Sequence, residues 1–209
     1  MESKLADQAG GAPFVAVVAG ATGATGRWIV SELTSCDQCS KIVALVRSPE
    51  VDLTPSPKLE LLNWDQIDTL NCCTVGFCAM GSAPYTEESD FIRPVAFAKR
   101  CREIGVKDMF LVSASNAKTG SWFGYPDTLG RREDAFIQLG FTRLGIFRPG
   151  MMNRQEKRRT REQIFSMILP DFMKIDTRDI AKTMVAAAMR MKPGTHYFSH
   201  GEMKTFARA

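Results

Sequence analysis

The sequence predicts an α/β protein built on a doubly wound parallel sheet, and three observations carry that prediction. Short apolar, β-prone runs recur without helical period, the mark of strands buried on both faces of a parallel sheet. Segments of helical pattern alternate with them, the order of βαβ units whose right-handed crossovers place helices on both faces. The first strand runs directly into glycines at G-x-x-G-x-x-G spacing and then into a helix, a succession suited to cradling a diphosphate.

Phe14 to Ala19 (FVAVVA) is the first strand. Gly20, Gly23 and Gly26 follow it: Gly20 allows a tight turn, Gly23 lets the backbone approach a pyrophosphate, and Gly26 permits close helix packing. A helix from about Arg27 to Ser35 then points its unpaired N–H groups and partial positive charge at the anion. Lys41 to Val46 (KIVALV) is the second strand, with Arg47 directly after it. The end of this strand faces the adenosine ribose in dinucleotide folds, where an acid binds the 2′-hydroxyl and an arginine accommodates a 2′-phosphate. Arg47 stands there and no acid occurs before Glu50, which favours NADP over NAD.

A proline-rich loop at 49–57 leads to a short third strand, Lys58 to Asn63, and Val75 to Met80 (VGFCAM) is the fourth, ending in Gly81 and Ser82. Val95 to Ile104 reads as a helix with Pro94 at its first position. Met109 to Ser113 is the fifth strand, Asp127 to Leu139 a helix, and Thr142 to Phe147 the sixth strand. Asp176 to Met191 is an amphipathic helix with Asp176 as its N-cap, its apolar stripe running through Ile180, Met184, Ala187, Ala188 and Met191. His196 to Ser199 is expected as a short edge strand. The expected organisation is a flexible N-terminus over 1–12, a nucleotide-binding core over 13–150, and a smaller substrate-side extension over 151–209.

The 209 residues suit one large domain with a substantial core, and 44% hydrophobic with 24% charged residues is ordinary for a soluble globular protein. No apolar run reaches membrane-spanning length and residues 1–13 carry no apolar signal core, so a cytoplasmic protein without membrane association is expected. The six cysteines are then expected as reduced thiols. Cys36 and Cys39 form a C-x-x-C, yet no second pair or paired histidines complete a tetrahedral site, and a plain loop is the better reading. No metal is expected.

GATGATG after the first strand, VGFCAMGS after the fourth, FLVSAS after the fifth, Tyr125 in YPDTLG, and IFRPGMMNRQE after the sixth resemble the atypical short-chain dehydrogenase/reductases. Within them the chain is similar to the Tat-interacting protein family. That resemblance implies a Rossmann fold binding NADPH, with Gly20, Thr22, Gly23, Ala24, Thr25 and Gly26 on the pyrophosphate and Arg47 on the 2′-phosphate. It further implies Asn63 near the adenine, Gly81 and Ser82 near the ribose, and Pro149 with Gly150 beside the nicotinamide.

The family's chemistry depends on a Ser, a Tyr and a Lys four residues after the Tyr. A tyrosine with its free pKa of ~10 is a poor acid-base at neutral pH, and a neighbouring ammonium favours the phenolate. Ser113 and Ser115 stand where the serine is expected and Tyr125 matches the tyrosine, but the lysine position is Leu129. Pro126 adds a departure, because the residue before a proline is pushed out of helical geometry. Lys118, Arg131 and Arg132 are the nearby cations, and Arg132 shares a helical face with Tyr125 if the helix begins there. Two functions follow: an NADP-dependent oxidoreductase acting on an unknown carbonyl substrate, or a non-catalytic NADP-sensing or scaffold protein. The basic stretch 154–161 (RQEKRRTR) suits a solvated flank of the cleft, an acidic protein partner or an import signal. It lacks the interleaved aromatic platform that single-stranded nucleic acid needs, so no nucleic acid is expected.

Overall fold

A computed structural model describes residues 13–153 and 174–206; the expected flexible N-terminus 1–12 and the basic stretch 154–161 lie outside the described residues. In chain order the elements are β1 (Phe14–Ala19), α1 (Gly26–Thr34), β2 (Cys39–Val46), β3 (Leu59–Asn63), β4 (Val75–Cys78), α2 (Arg93–Glu103), β5 (Asp108–Val112) and α3 (Gly124–Gln138). Then come β6 (Arg143–Arg148), β7 (Met151–Asn153), β8 (Lys174–Asp176), α4 (Thr177–Arg190), β9 (Gly194–Ser199) and α5 (His200–Phe206). Seven strands form one sheet in the order β3-β2-β1-β4-β5-β6-β9, every neighbouring pair parallel. The strand order reverses between β1 and β4, and a crevice opens outside the carboxyl ends of these strands at such a switch point.

The period of two along β1 sorts its side chains into two cores. Ala16 and Val18 join a layer with Ile29 and Leu33 of α1 and Ile180 and Met184 of α4. Val17 and Ala19 face the opposite layer, with Phe97 and Cys101 of α2 and Phe136 of α3. Burial on both faces explains why these strands read as unbroken apolar runs. The stripe expected in the 176–191 helix packs under α1, and Asp176 caps α4 by accepting from the Arg178 N–H at 2.9 Å. Residues after Gly150 thus supply both a helix to this core and the seventh strand of the sheet.

Two helix starts and one small strand pair depart from expectation in ways that bear on the site. Helix α3 begins at Gly124 instead of Asp127, so Tyr125 lies inside its first turn with Pro126 next. A proline within the first turn removes an N–H that has no intrahelical acceptor, and the helix therefore starts despite it. Pro94 occupies the second position of α2 because a π-helical turn, Glu88–Ile92, runs straight into that helix. The small parallel pair β7-β8 has strands of three residues, too short for a periodic signal. Among the described residues no helix is long and apolar enough to cross a membrane.

Candidate functional site

The site is built outward from the turn after β1. Gly20 has φ +80°, and a Cβ there would meet the Ala79 carbonyl oxygen at 2.6 Å. At Gly26 a Cβ would lie 2.0 Å from the Gly20 carbonyl oxygen, so the close packing read from the sequence is of the helix start against its own turn. The Gly23 N–H donates to the Gly20 carbonyl at 2.9 Å and closes the loop. Thr22, Gly23, Ala24 and Thr25 then line a cleft of about 440 Å³, with the first turn of α1 directly behind them.

The opposite wall comes from four segments: the stretch after β4 including Gly81 and Ser82, Ser113 after β5, Tyr125 and Arg132 of α3, and Met152 of β7. A recess of about 150 Å³ adjoins it, walled by Gly20, Arg47, Trp64 and Arg93. Arg47 lines both spaces. Asn63 is absent from both linings; its side-chain oxygen accepts from the Asp65 N–H at 3.0 Å and caps a 3₁₀ turn. Its neighbour Trp64 faces the recess instead, with the Arg93 guanidinium 5.9 Å from its ring centre.

Ser82 is held by Asp90, whose carboxylate accepts from the Ser82 hydroxyl at 2.8 Å, the Ser82 N–H at 3.3 Å and the Thr86 N–H at 3.0 Å. Asp90 is 1% exposed, and the three donors balance the cost of burying its charge. Nothing local in the sequence marks it, because its part depends on the segment after β4 folding back onto it. Pro149 and Gly150 do not line the cleft. The Pro149 carbonyl accepts from the Ser115 N–H at 2.9 Å, and the Gly150 N–H donates to His200 Nδ1 at 3.2 Å.

Ser113 and Ser115 part company. Ser115 is exposed and outside the lining, whereas Ser113 is buried against the cleft with its Oγ lacking a hydrogen-bond partner among the described residues. An orphaned buried hydroxyl costs on the order of 1–3 kcal/mol, and a ligand oxygen in the cleft is the natural partner. Tyr125 lines the same space, its ring centre 5.4 Å from that of Tyr85. Leu129 is buried and brings no charge to the site. Of the three candidate cations, Lys118 is exposed and Arg131 pairs with Glu87 at 2.9 Å while covering the Phe91 ring at 4.5 Å. Arg132 alone of the three lines the cleft.

The C-x-x-C takes no part in the site. Cys36 sits 3.7 Å from the Met189 sulfur, and burial pushes the Cys39 thiol up to about 11, which keeps it protonated and a poor nucleophile. Burial likewise raises Cys73 to about 11 and raises Cys78 beneath the cleft. All six cysteines are free thiols. Among the described residues no group of His, Cys, Asp or Glu is arranged to hold a metal ion.

The glycine cradle, the switch point and the two-lobed cleft can be set beside known proteins. No protein-family model matches the chain. Protein HTATIP2 of Rattus norvegicus is 28% identical over 156 residues, covering 68% of this chain and 64% of the rat protein. Protein FMP52-2, mitochondrial, of Scheffersomyces stipitis is 39% identical over 88 residues, covering 42% of this chain and 38% of the relative. The chain is similar to the Tat-interacting branch of the atypical short-chain dehydrogenase/reductases. It spans less than two thirds of the length of either relative. Among solved structures, Bordetella bronchiseptica WbmH in complex with NAD⁺ superposes with a TM-score of 0.71 at 13% identity, covering 94% of this chain and 79% of that one. MoeE5 in complex with UDP-glucuronic acid and NAD gives 0.70 at 16% identity, covering 89% and 75%. The oxidoreductase ylbE of Lactococcus lactis gives 0.59 at 16% identity, covering 93% and 97%. The architecture is therefore the Rossmann-like fold of these solved structures, of which WbmH and MoeE5 hold NAD.

Proposed function

We propose that the cleft binds NADP(H) and that the protein is an oxidoreductase of the short-chain dehydrogenase type acting on a carbonyl substrate. One observation carries the reading: a single continuous crevice joins the glycine turn and Arg47 to Ser113 and Tyr125, the ends at which such an enzyme holds a diphosphate and handles a proton. The fit to a dinucleotide rests on the turn, where side chains are excluded by backbone at Gly20 and Gly26, and on the partnerless Ser113 hydroxyl. In this reading the cofactor supplies hydride and the chain supplies position. Ser113 donates to the substrate oxygen, Tyr125 returns the proton, and Ser82, fixed by Asp90, faces the ribose. Arg47, exposed at the end of β2, meets the 2′-phosphate as a bidentate donor.

A second reading, an NADP-sensing scaffold, is favoured by one specific observation, the burial of Leu129 at the position where the family places its lysine. In it the basic stretch 154–161 would take an acidic protein partner. The compartment proposed for either reading is the cytosol, while the fungal relatives carry "mitochondrial" in their names.

Thermal unfolding with and without coenzyme tests cofactor binding. NADPH at 100 times its dissociation constant should stabilise by ~2.7 kcal/mol. Arg47→Ala should weaken NADPH by about tenfold or more and leave NADH unchanged, since one charge-assisted contact is worth ~1.5–3 kcal/mol. Equal losses for both coenzymes would remove Arg47 from the 2′-phosphate. Loss of NADPH-dependent carbonyl reduction in Tyr125→Phe, with coenzyme binding intact, would separate the enzyme from the scaffold.

A further inference from the structure

We infer that Arg132 takes over the electrostatic task of the missing lysine and holds the Tyr125 hydroxyl toward its phenolate form. The inference rests on the proposed function and assigns Arg132 as a positioning residue within it.

Tyr125 and Arg132 are seven residues apart on α3, which puts them on one face about 10 Å apart along the axis. Seven residues are about two turns, so the two side chains project from the same side of α3. Both side chains reach the same cleft. Arg132 is 2% exposed. Its Nη1 donates to the Met80 carbonyl at 3.1 Å and the Asp90 carbonyl at 3.2 Å, and its Nη2 to the Val112 carbonyl at 2.8 Å. Its Nε has no partner among the described residues. Those three carbonyls lie just after β4, at the last residue of β5 and in the π-helical turn, so the fork is fixed next to Ser113 in the chain.

The charge matters because no carboxylate ion-pairs with it: among the described residues its hydrogen bonds go only to carbonyl dipoles. A buried guanidinium costs free energy unless an anion offsets it, and a phenolate developing in the same cleft is such an anion. Arginine stays protonated throughout the range in which a tyrosine titrates, so the field is constant.

Other groups near Tyr125 act on its proton as well. The segment before α2 brings Tyr85, Glu87 and the Asp90 carboxylate. Helix α3 brings Asp127 and Arg131, the loop after β5 the exposed Lys118, and β4 the Cys78 thiol, kept neutral by burial. Arg47 stands at the other end of the cleft. Glu87 and Asp127 both pair with Arg131 at partly exposed positions, where water screens them. Asp90 is saturated by Ser82 and Thr86. Among the described residues that line the cleft, Arg132 is the buried cation.

The chain has three tyrosines, Tyr85, Tyr125 and Tyr197, so phenolate absorbance can be assigned by subtraction. The pH titration of the full chain minus that of Tyr125→Phe isolates Tyr125. Its midpoint should fall about one unit below the free value of ~10. In folded Arg132→Gln it should return to about 10 or above, and in Arg132→Lys part of the downward shift should survive. A wild-type midpoint at or above the free value overturns the inference. So does a folded Arg132→Gln with an unmoved midpoint, the result expected of a purely structural clamp. Should Arg132→Gln not fold, the exposed Arg131→Gln decides: an unmoved midpoint supports Arg132 as the source, and an upward shift assigns the field to Arg131 and overturns it. None of these readouts needs coenzyme, so failure to bind NADPH would sink the proposed function separately.

Discussion

At its β1 end the cleft is shaped by backbone, and at its α3 end by side chains arriving from four separate segments. The first is a steric solution. Gly20 needs φ +80° and Gly26 needs the absence of a Cβ, and both demands fall within seven consecutive residues. The second is an electrostatic solution, in which Ser113, Tyr125, Asp90 and Arg132 come from the loop after β5, from α3 and from the π-helical turn. A local steric requirement leaves its mark in a motif, whereas a charge can be delivered from any element that reaches the space. The first end is consequently written in a short run of sequence, and the second is spread over segments far apart in the chain.

The sharpest way to break this contrast is Gly26→Ala. Its Cβ would meet backbone that cannot retreat without moving β1 or α1, so stability should fall by about 3 kcal/mol or more, read as a lowered midpoint in urea. A change smaller than about 1 kcal/mol would show that the turn has slack and that its legibility is not steric in origin.

Alkaline pH should reveal a second, intermediate effect away from the cleft. The Cys39 and Cys73 thiols sit at about 11 in the folded chain against a usual 9.0. A raised thiol pKa means the folded state binds more protons above 9, so this stability is intact below pH 9 and is lost as pH rises towards 11. Each thiol contributes on the order of 2 kcal/mol across that window. Urea midpoints measured at pH 8 and at pH 11 should diverge, and Cys73→Ala should narrow the gap; an equal gap in the variant would assign the loss to other groups.

The smallest effect expected is Ser113→Ala. Because the hydroxyl has no partner among the described residues, its removal should cost no stability and should raise it by about 1 kcal/mol, while any NADPH-dependent turnover drops. A clear loss of stability would mean that the hydroxyl is satisfied within the fold.

The same contrast explains what the sequence made legible. The strands of the core, the N-cap at Asp176, the edge strand at β9 and the glycine cradle all rest on local rules, namely apolar runs, a capping carboxylate and missing Cβ atoms. Arg47 directly follows β2 and, like Tyr125, lines the cleft. Asn63, Pro149, Gly150 and Ser115 stand beside the space without lining it, because each spends a polar group on a backbone or side-chain partner that no spacing reveals. Asp90 and Trp64 were invisible for the opposite reason: their part in the cleft depends on segments distant in the chain converging on it.

The packing of α4 beneath α1 has a consequence in time. The helix that backs the glycine turn finds its apolar partner roughly 150 positions further along, a separation that makes loop closure costly before any contact rewards it and places assembly among the slower folding topologies. A newly made copy of the chain can pair β1 with β2 early, but it acquires a braced glycine turn only when α4 arrives.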